Sequence, residues 1–246
     1  MADYSETALV RSLNFLAESQ GAIAHNLANV GSTAYKRRVA IAEESDRGFA
    51  SMLQTTMPTL VYRETTDQAD GSTKSTDQGL HVALRGDGFF RVKSGNAVYL
   101  TRFGELQVDS QGYLSTPDGH RYLDRDGNEI HLAAEGVNTS SLLISPDGSI
   151  TDDRDGSQAL GRLDVVTVDR PELLEPAGTS LYRVPPQTPL RPATARVQQR
   201  SLELSNVDSL SELVNMIIVQ RSFEATSRTL RTLDELKSAF VTAMNR

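Results

Sequence analysis

The sequence predicts a segmented α+β protein: N- and C-terminal helices paired as a coiled-coil-like core domain, an extended linker region, and a central all-β domain. Three observations carry that prediction. Apolar residues repeat at heptad spacing at both chain ends, the repeat gives way to short β-prone runs in the middle, and six Asp-Gly dipeptides punctuate the middle.

At the N-terminal end, Leu9, Leu13, Leu16, Ile23, Leu27 and Val30 follow a 4-3-4-3 spacing that only Gln20 interrupts. The pattern predicts a helix of about seven turns. "DYSE" marks its start: Asp3 would cap free N–H groups and Glu6 would reach back to the cap, while Gly31 and Ser32 would stop the helix.

The same spacing recurs through Met216, Val219, Phe223, Thr226, Leu230, Leu233, Lys237, Phe240 and Met244. "SLSE", Ser209 to Glu212, is a capping-box pattern that places the start of this second helix near Ser209. Leu210, Leu213, Val214 and Ile217 add a second apolar strip to its first turns.

Between the helices, Asp70, Asp87, Asp118, Asp126, Asp147 and Asp155 each precede a Gly, which favours turns and hairpins. "LGRLDVVTV", Leu160 to Val168, reads as one strand and "TSLYRV" as another. Segments 35–79 and 185–204 are poorer in pattern, and the second carries Pro185, Pro186, Pro189 and Pro192, so both read as an extended linker. The predicted division is therefore 1–34 with 205–246 as helical core, 35–79 with 185–204 as linker, and 80–184 as β domain.

The chain has 246 residues and 26.9 kDa, enough for one large or two modest domains. A formal charge of −7 argues against nucleic acid as a partner. No stretch reaches the roughly 18 apolar residues that span a bilayer, and "MADYSETALVRSLNFL" lacks the features of a cleaved secretory signal. With no Cys, thiol chemistry and thiolate metal sites are excluded.

Nothing in the sequence predicts a catalytic residue, a cofactor, a metal site or a small-molecule substrate. His25, His81, His120 and His131 are scattered without ligand spacing and read as surface or packing residues. Asp124, Asp126 and Asn128 alternate as in a calcium loop, with Glu135 at the twelfth position, but Glu129 occupies the sixth, where Gly is required. A β-turn is the expected reading. Lys36, Arg37 and Arg38 read as interface or exposed charge, and Arg221 and Glu224 as a helical pair or an inter-subunit contact.

"NLANVGSTAYKRR" resembles the N-terminal signature of the bacterial flagellar rod and hook proteins, in which Asn-Leu/Ile-Ala-Asn precedes small polar residues and Gly-Phe/Tyr-Lys. Asn26, Leu27, Ala28, Asn29, Tyr35 and Lys36 match it. "LELSNVDSLSELVNMIIVQRSFEATSR" resembles the C-terminal signature, matched by Glu203, Ser205, Asn206, Val207, Glu212, Met216, Ile217, Gln220, Arg221, Phe223 and Glu224. The β-prone middle is similar to the β domain of rod proteins. Ala34 departs from the usual Gly, so a different turn is expected there, with Gly31 supplying flexibility.

The resemblance implies a structural subunit of the flagellar basal-body rod, proximal or distal, rather than an enzyme. It would be exported without a cleaved signal, reside in the periplasmic rod, and polymerise into a hollow drive shaft that forms part of the export channel. The implied partners are copies of itself, other rod proteins, hook subunits, surrounding rings and the export apparatus. The seams supply a physical rationale, because each helix pair buries one stripe and leaves apolar surface for neighbours. Residues 1–40 hold four basic and three acidic groups and residues 201–246 five and six, so the −7 sits in the middle. Rival readings are a secreted enzyme or ligand-binding β domain dimerised by its helices, and a calcium-dependent adhesin-like module.

Overall fold

The computed structural model describes residues 2–44, 60–132, 141–152, 159–186 and 188–244. Helix α1 spans Ala2–Ala28 and helix α2 spans Ser209–Met244. Between them run β1 (Arg38–Glu44), β2 (Leu60–Thr66), β3 (Thr73–Ser75), β4 (Val82–Arg85), β5 (Phe89–Ser94), β6 (Ala97–Thr101), β7 (Gln107–Val108), β8 (Leu114–Ser115) and β9 (Arg121–Tyr122). There follow β10 (Leu142–Ile144), β11 (Ser149–Asp152), β12 (Ala159–Arg162), β13 (Val165–Val168), β14 (Glu175–Pro176), β15 (Leu181–Arg183), β16 (Leu190–Pro192), β17 (Arg196–Gln199) and β18 (Ser201–Glu203). Two helices and a largely β remainder make the chain α+β.

Contacts divide the chain into two units, one of Met1–Ala28, Arg38–Thr65 and Asp208–Arg246, the other of Asn29–Arg37 and Thr66–Val207. In the first unit α1 and α2 run antiparallel, since Glu6 ion-pairs with Lys237 while Asn26 hydrogen-bonds Glu212. Strand β1 pairs with β2, and Arg38 reaches Glu64 at 3.2 Å. Leu9, Leu13, Leu16 and Leu27 are half-buried and Ile23 is buried. Of the expected α2 seam, Met216, Val219, Thr226, Leu230, Leu233 and Lys237 are half-buried.

Phe223, Phe240 and Met244 are exposed instead. A straight helix of 3.6 residues per turn drifts by about 20° per heptad from a strict seven-residue repeat, and Ser222 has moved to the half-buried side in place of Phe223. Helix α2 begins at Ser209 as expected, but the caps of both helices differ from expectation. Helix α1 begins at Ala2, so Asp3 lies inside it, and Glu6 is drawn to Lys237 rather than to a cap. Helix α2 is capped by Asp208, whose carboxylate accepts the Leu210 N–H at 3.3 Å and the Ser211 hydroxyl at 2.5 Å. The Ser211 bond, followed by the Leu210 bond, holds the Asp208 carboxyl below its usual range.

In the second unit a nine-stranded antiparallel sheet runs β14-β15-β6-β5-β9-β8-β7, with β13 also pairing β5 and β16 pairing β13. Strand β5 is its hub: Phe90 to Ser94 pair with β6, Val92 and Lys93 with β9, and Phe89 and Phe90 with β13. Consecutive residues of a strand face opposite ways, and both faces of β5 are covered. Phe90 packs edge-on against Tyr122 at 5.9 Å in the larger core with Val82, Leu114 and Ile150, while Phe89 packs against Tyr182 at 5.7 Å in a second core with Leu100 and Leu174. A three-stranded sheet β10-β11-β12 and the pairs β17-β4 and β18-β3 complete the unit.

Segments 35–79 and 185–204 thus contain paired strands as well as extended chain. The expected single strand from Leu160 to Val168 is broken at Leu163-Asp164. The Leu163 N–H bonds the Gly148 carbonyl and the Asp164 N–H the Leu123 carbonyl, so its halves join different sheets as β12 and β13.

Three Asp-Gly pairs, at Asp118, Asp126 and Asp147, are turns with left-handed glycines at φ +83°, +84° and +86°. Gly71 is required for another reason, which is space: a Cβ there would lie 1.9 Å from the Leu204 carbonyl oxygen, while one on Gly88 would crowd the Ala193 and Val165 side chains at 3.0 Å. Asp155-Gly156 and Glu135 lie outside the described residues. In the calcium-like loop, the Asp124 carboxylate accepts the Asn128 N–H at 2.8 Å and Gly127 N–H bonds the Asp124 carbonyl, which makes it a turn.

Candidate functional site

The two terminal signatures supply the side chains that close the chain ends on each other, one closure in each unit. In the first unit the C-terminal turns of α1 aim Asn26 inward, where it is fully buried. Its Oδ1 accepts the Arg38 N–H at 2.8 Å and its Nδ2 donates to the Arg38 carbonyl at 2.9 Å. The side-chain amide therefore acts as a backbone mimic for the first residue of β1. Nδ2 also donates to Glu212 Oε2 at 3.2 Å, which gives the 1 % exposed Glu212 carboxylate a partner from a residue 186 positions earlier.

In the second unit Asn29 and the small residues after it form a turn: the Ser32 N–H bonds the Asn29 carbonyl at 3.0 Å, and the Ser32 hydroxyl donates to Asn29 Oδ1 at 3.1 Å. Val30, counted in the helical seam from sequence, lies beyond the last helical residue and is 39 % exposed. Ala34, fully buried, takes φ +55° and donates its N–H to the Glu203 carbonyl at 2.8 Å. The expected alternative turn is not adopted. Alanine keeps the left-handed conformation that its position requires, and Gly31 is not in that region.

That turn delivers Tyr35 and Lys36 into the interior, each 1 % exposed. Lys36, expected as exposed charge or interface, donates from Nζ to Glu203 Oε1 at 2.6 Å and to the Ala69 carbonyl at 2.7 Å. Glu203 Oε1 also accepts the Gly71 N–H at 3.1 Å, and both its oxygens lie 3.3 Å from Arg102 Nη1. Arg102 is fixed further by Gly88 and Gly86 carbonyls at 3.0 and 2.9 Å, by Asp70 at 2.7 Å, and by the Phe89 ring at 5.5 Å. Burial pushes the Lys36 ammonium below its ordinary 10.5; Glu203 opposes that and the neighbouring Arg102 adds to it. Two buried cations thus share one buried carboxylate, with the half-exposed Asp70 as the second anion.

The C-terminal signature completes the same closure. Asn206 Oδ1 accepts the Arg37 N–H at 2.7 Å, and its Nδ2 donates to the Asp67 and Ala69 carbonyls at 2.9 Å. The Ser205 hydroxyl accepts the Val207 N–H, and Val207 is buried. Further along α2, Leu213, Ile217, Gln220, Arg221, Phe223, Glu224 and Phe240 are exposed, and no ion pair joins Arg221 to Glu224 among the described residues. Arg102, Asp70 and Gly71 were not singled out from sequence as site residues. The available signal is Arg102 itself, a charge directly after the strand-forming run "VYLT".

Two family models match the chain: the flagellar hook protein FlgE/F/G D1 domain over residues 83–152, and the flagellar basal body rod FlgEFG protein C-terminal region over residues 198–242. The chain is 32 % identical over 186 residues to the flagellar basal-body rod protein FlgG of Bacillus subtilis, covering 72 % of this chain and 69 % of that protein. It is 32 % identical over 240 residues to FlgG of Buchnera aphidicola subsp. Acyrthosiphon pisum, covering 87 % and 89 %. The flagellar basal-body rod protein FlgF of Caulobacter vibrioides is 26 % identical over 223 residues, covering 89 % of each.

Proposed function

The chain belongs to the flagellar basal-body rod protein family, and from that premise we propose how it serves as a structural subunit of the rod. Helices α1 and α2 pair as a coiled-coil-like core, and copies polymerise through the faces this pairing leaves open. Stacked head to tail without closing, they form a hollow shaft that transmits torque and lines part of the export path. The subunit reaches the basal body through the export apparatus and meets other rod and hook components there.

The observation that carries this reading is the apolar strip on α2. Leu210, Leu213, Val214, Ile217 and Ile218 are 49 to 70 % exposed in the monomer. Each such side chain gains about 1.5–3 kcal/mol when fully buried, so a contiguous set of five favours a neighbouring subunit.

The test is Ile217→Asp. Because the side chain is exposed, the isolated protein should keep its melting behaviour to within about 0.5 kcal/mol. Cells carrying the variant should lose motility, and basal bodies imaged by electron microscopy should lack complete rods. Normal rods built from a stably folded variant would refute the proposal.

A further inference from the structure

We propose that the second unit carries a separate recognition groove for a carboxylate-bearing extended peptide. The groove holds about 390 Å³ and lies among the β10–β11 turn, β12, β13 and the segment linking β16 to β17. Its floor is apolar and mostly small: Pro146, Leu163, Val165, Ala193 and Ala195. Its polar lining is Arg125, Arg162, Arg196, Thr194 and Asp147.

That lining has an excess of donors. Three guanidiniums face one carboxylate, and Asp147 is already committed to the Ser149 N–H and hydroxyl at 3.2 and 2.9 Å and to Arg162 Nη2 at 3.2 Å. Backbone N–H groups add to the count, because those of Thr194 and Ala195 bond no other backbone group among the described residues. Arg196 also stands directly across from Arg85 in the β17–β4 register, and neither has an ion partner among the described residues. Like charges placed opposite each other destabilise a strand pair, so the pair is unfavourable until an anion joins it.

The three arginines come from three different segments, which suits several spaced charges rather than one compact anion. Guanidinium forks bind carboxylates with two parallel hydrogen bonds, backbone N–H groups without a backbone partner among the described residues receive an extended backbone, and the apolar floor accepts intervening small side chains. The occupant is accordingly an acidic, extended segment of a partner protein. The inference does not rest on the α2 strip, and either can fail alone.

The experiment titrates the full chain with an acetylated peptide alternating Glu and Ala, against its Gln counterpart, by calorimetry. The acidic peptide should bind, weaken as salt shortens the screening length from about 30 Å to about 8 Å, and outcompete the Gln form. Arg125→Gln and Arg196→Gln should each weaken binding roughly fivefold, and melting should show both variants folded. Arg183→Gln, a charge removed from an exposed residue outside the groove, should leave binding unchanged. The proposal is overturned by no binding, by equal binding of the Gln peptide, or by arginine variants that bind as tightly as the parent. Displacement of the peptide by inorganic phosphate or by phosphatidylglycerol vesicles at equal charge would overturn it too, because the site would then read charge alone.

Discussion

Replacing Glu203 with Gln keeps the shape of the second unit's buried centre and removes a carboxylate that is 2 % exposed. In the parent, Glu203 accepts four hydrogen bonds from three donor atoms: Lys36 Nζ at 2.6 Å, the Gly71 N–H at 3.1 Å, and Arg102 Nη1 at 3.3 Å to each oxygen. Glutamine offers one acceptor oxygen and turns an NH₂ toward groups that only donate. Two cations, 1 % and 3 % exposed, then retain Asp70 alone, which is 56 % exposed.

Breaking a buried ion pair from one side costs about 3–5 kcal/mol, a large share of the roughly 5–15 kcal/mol that stabilises a domain. With a urea slope of about 2 kcal/mol/M, the second unit's midpoint should fall by about 1.5–2.5 M, read by tyrosine fluorescence and circular dichroism. Lys36→Met should behave differently. It removes the cation that burial already disfavours and leaves Glu203 paired with Arg102, so its cost should stay below about 1.5 kcal/mol.

A pH signature accompanies the asymmetry. The unfolded chain holds the Lys36 proton up to 10.5, whereas the folded chain releases it earlier. In that window the unfolded state binds more protons, so this residue's contribution to stability rises with pH, and Lys36→Met should abolish the rise. Burial pushes the Tyr122 phenol up and works in the opposite direction above about pH 10, so the parent-minus-variant difference is the quantity to measure. Equal losses for Glu203→Gln and Lys36→Met, or a loss under about 1 kcal/mol for the former, would refute the reasoning.

Ala34→Gly relieves a left-handed strain of about 1–2 kcal/mol but gives up a buried methyl worth about 0.8 kcal/mol and adds unfolded-state freedom of about 0.4–1 kcal/mol. Its thermal midpoint should stay near the parent's, while Ala34→Val should lose on the order of 3 kcal/mol through overpacking at the same φ. Gly71→Ala should cost more than about 2 kcal/mol by chemical denaturation, because its Cβ would sit on the Leu204 carbonyl. In acid, the Lys93 hydrogen bond, followed by that of Arg121, holds the Glu129 carboxyl below its ordinary 4.5. Its stabilisation is complete above that value and lost as pH falls through the lower folded one, so Glu129→Gln should flatten that part of a melting-temperature profile.

The helices were legible because a heptad pattern is local: Leu9 through Leu27 and Met216 through Leu233 announce their own period. Phe223 and Phe240 were misplaced because a seven-residue template ignores a drift that only packing resolves. The left-handed turns at Asp118, Asp126 and Asp147 were equally local, whereas Gly71 depends on a backbone, and Gly88 on side chains, from elsewhere in the chain. The N-terminal signature marked Asn26, Tyr35 and Lys36 as important without saying that they point inward.

By itself the sequence determined where the two helices form, that the middle of the chain is rich in strands and turns, that the two ends belong together, and which family the chain resembles. Those features follow from residue spacing, which acts over one or two turns of chain. Tertiary structure alone decided which charges are buried. Lys36 reads as one of three surface cations until β18 arrives 167 positions later with Glu203, because a buried charge is tolerated only where a distant partner has already been brought within hydrogen-bonding reach.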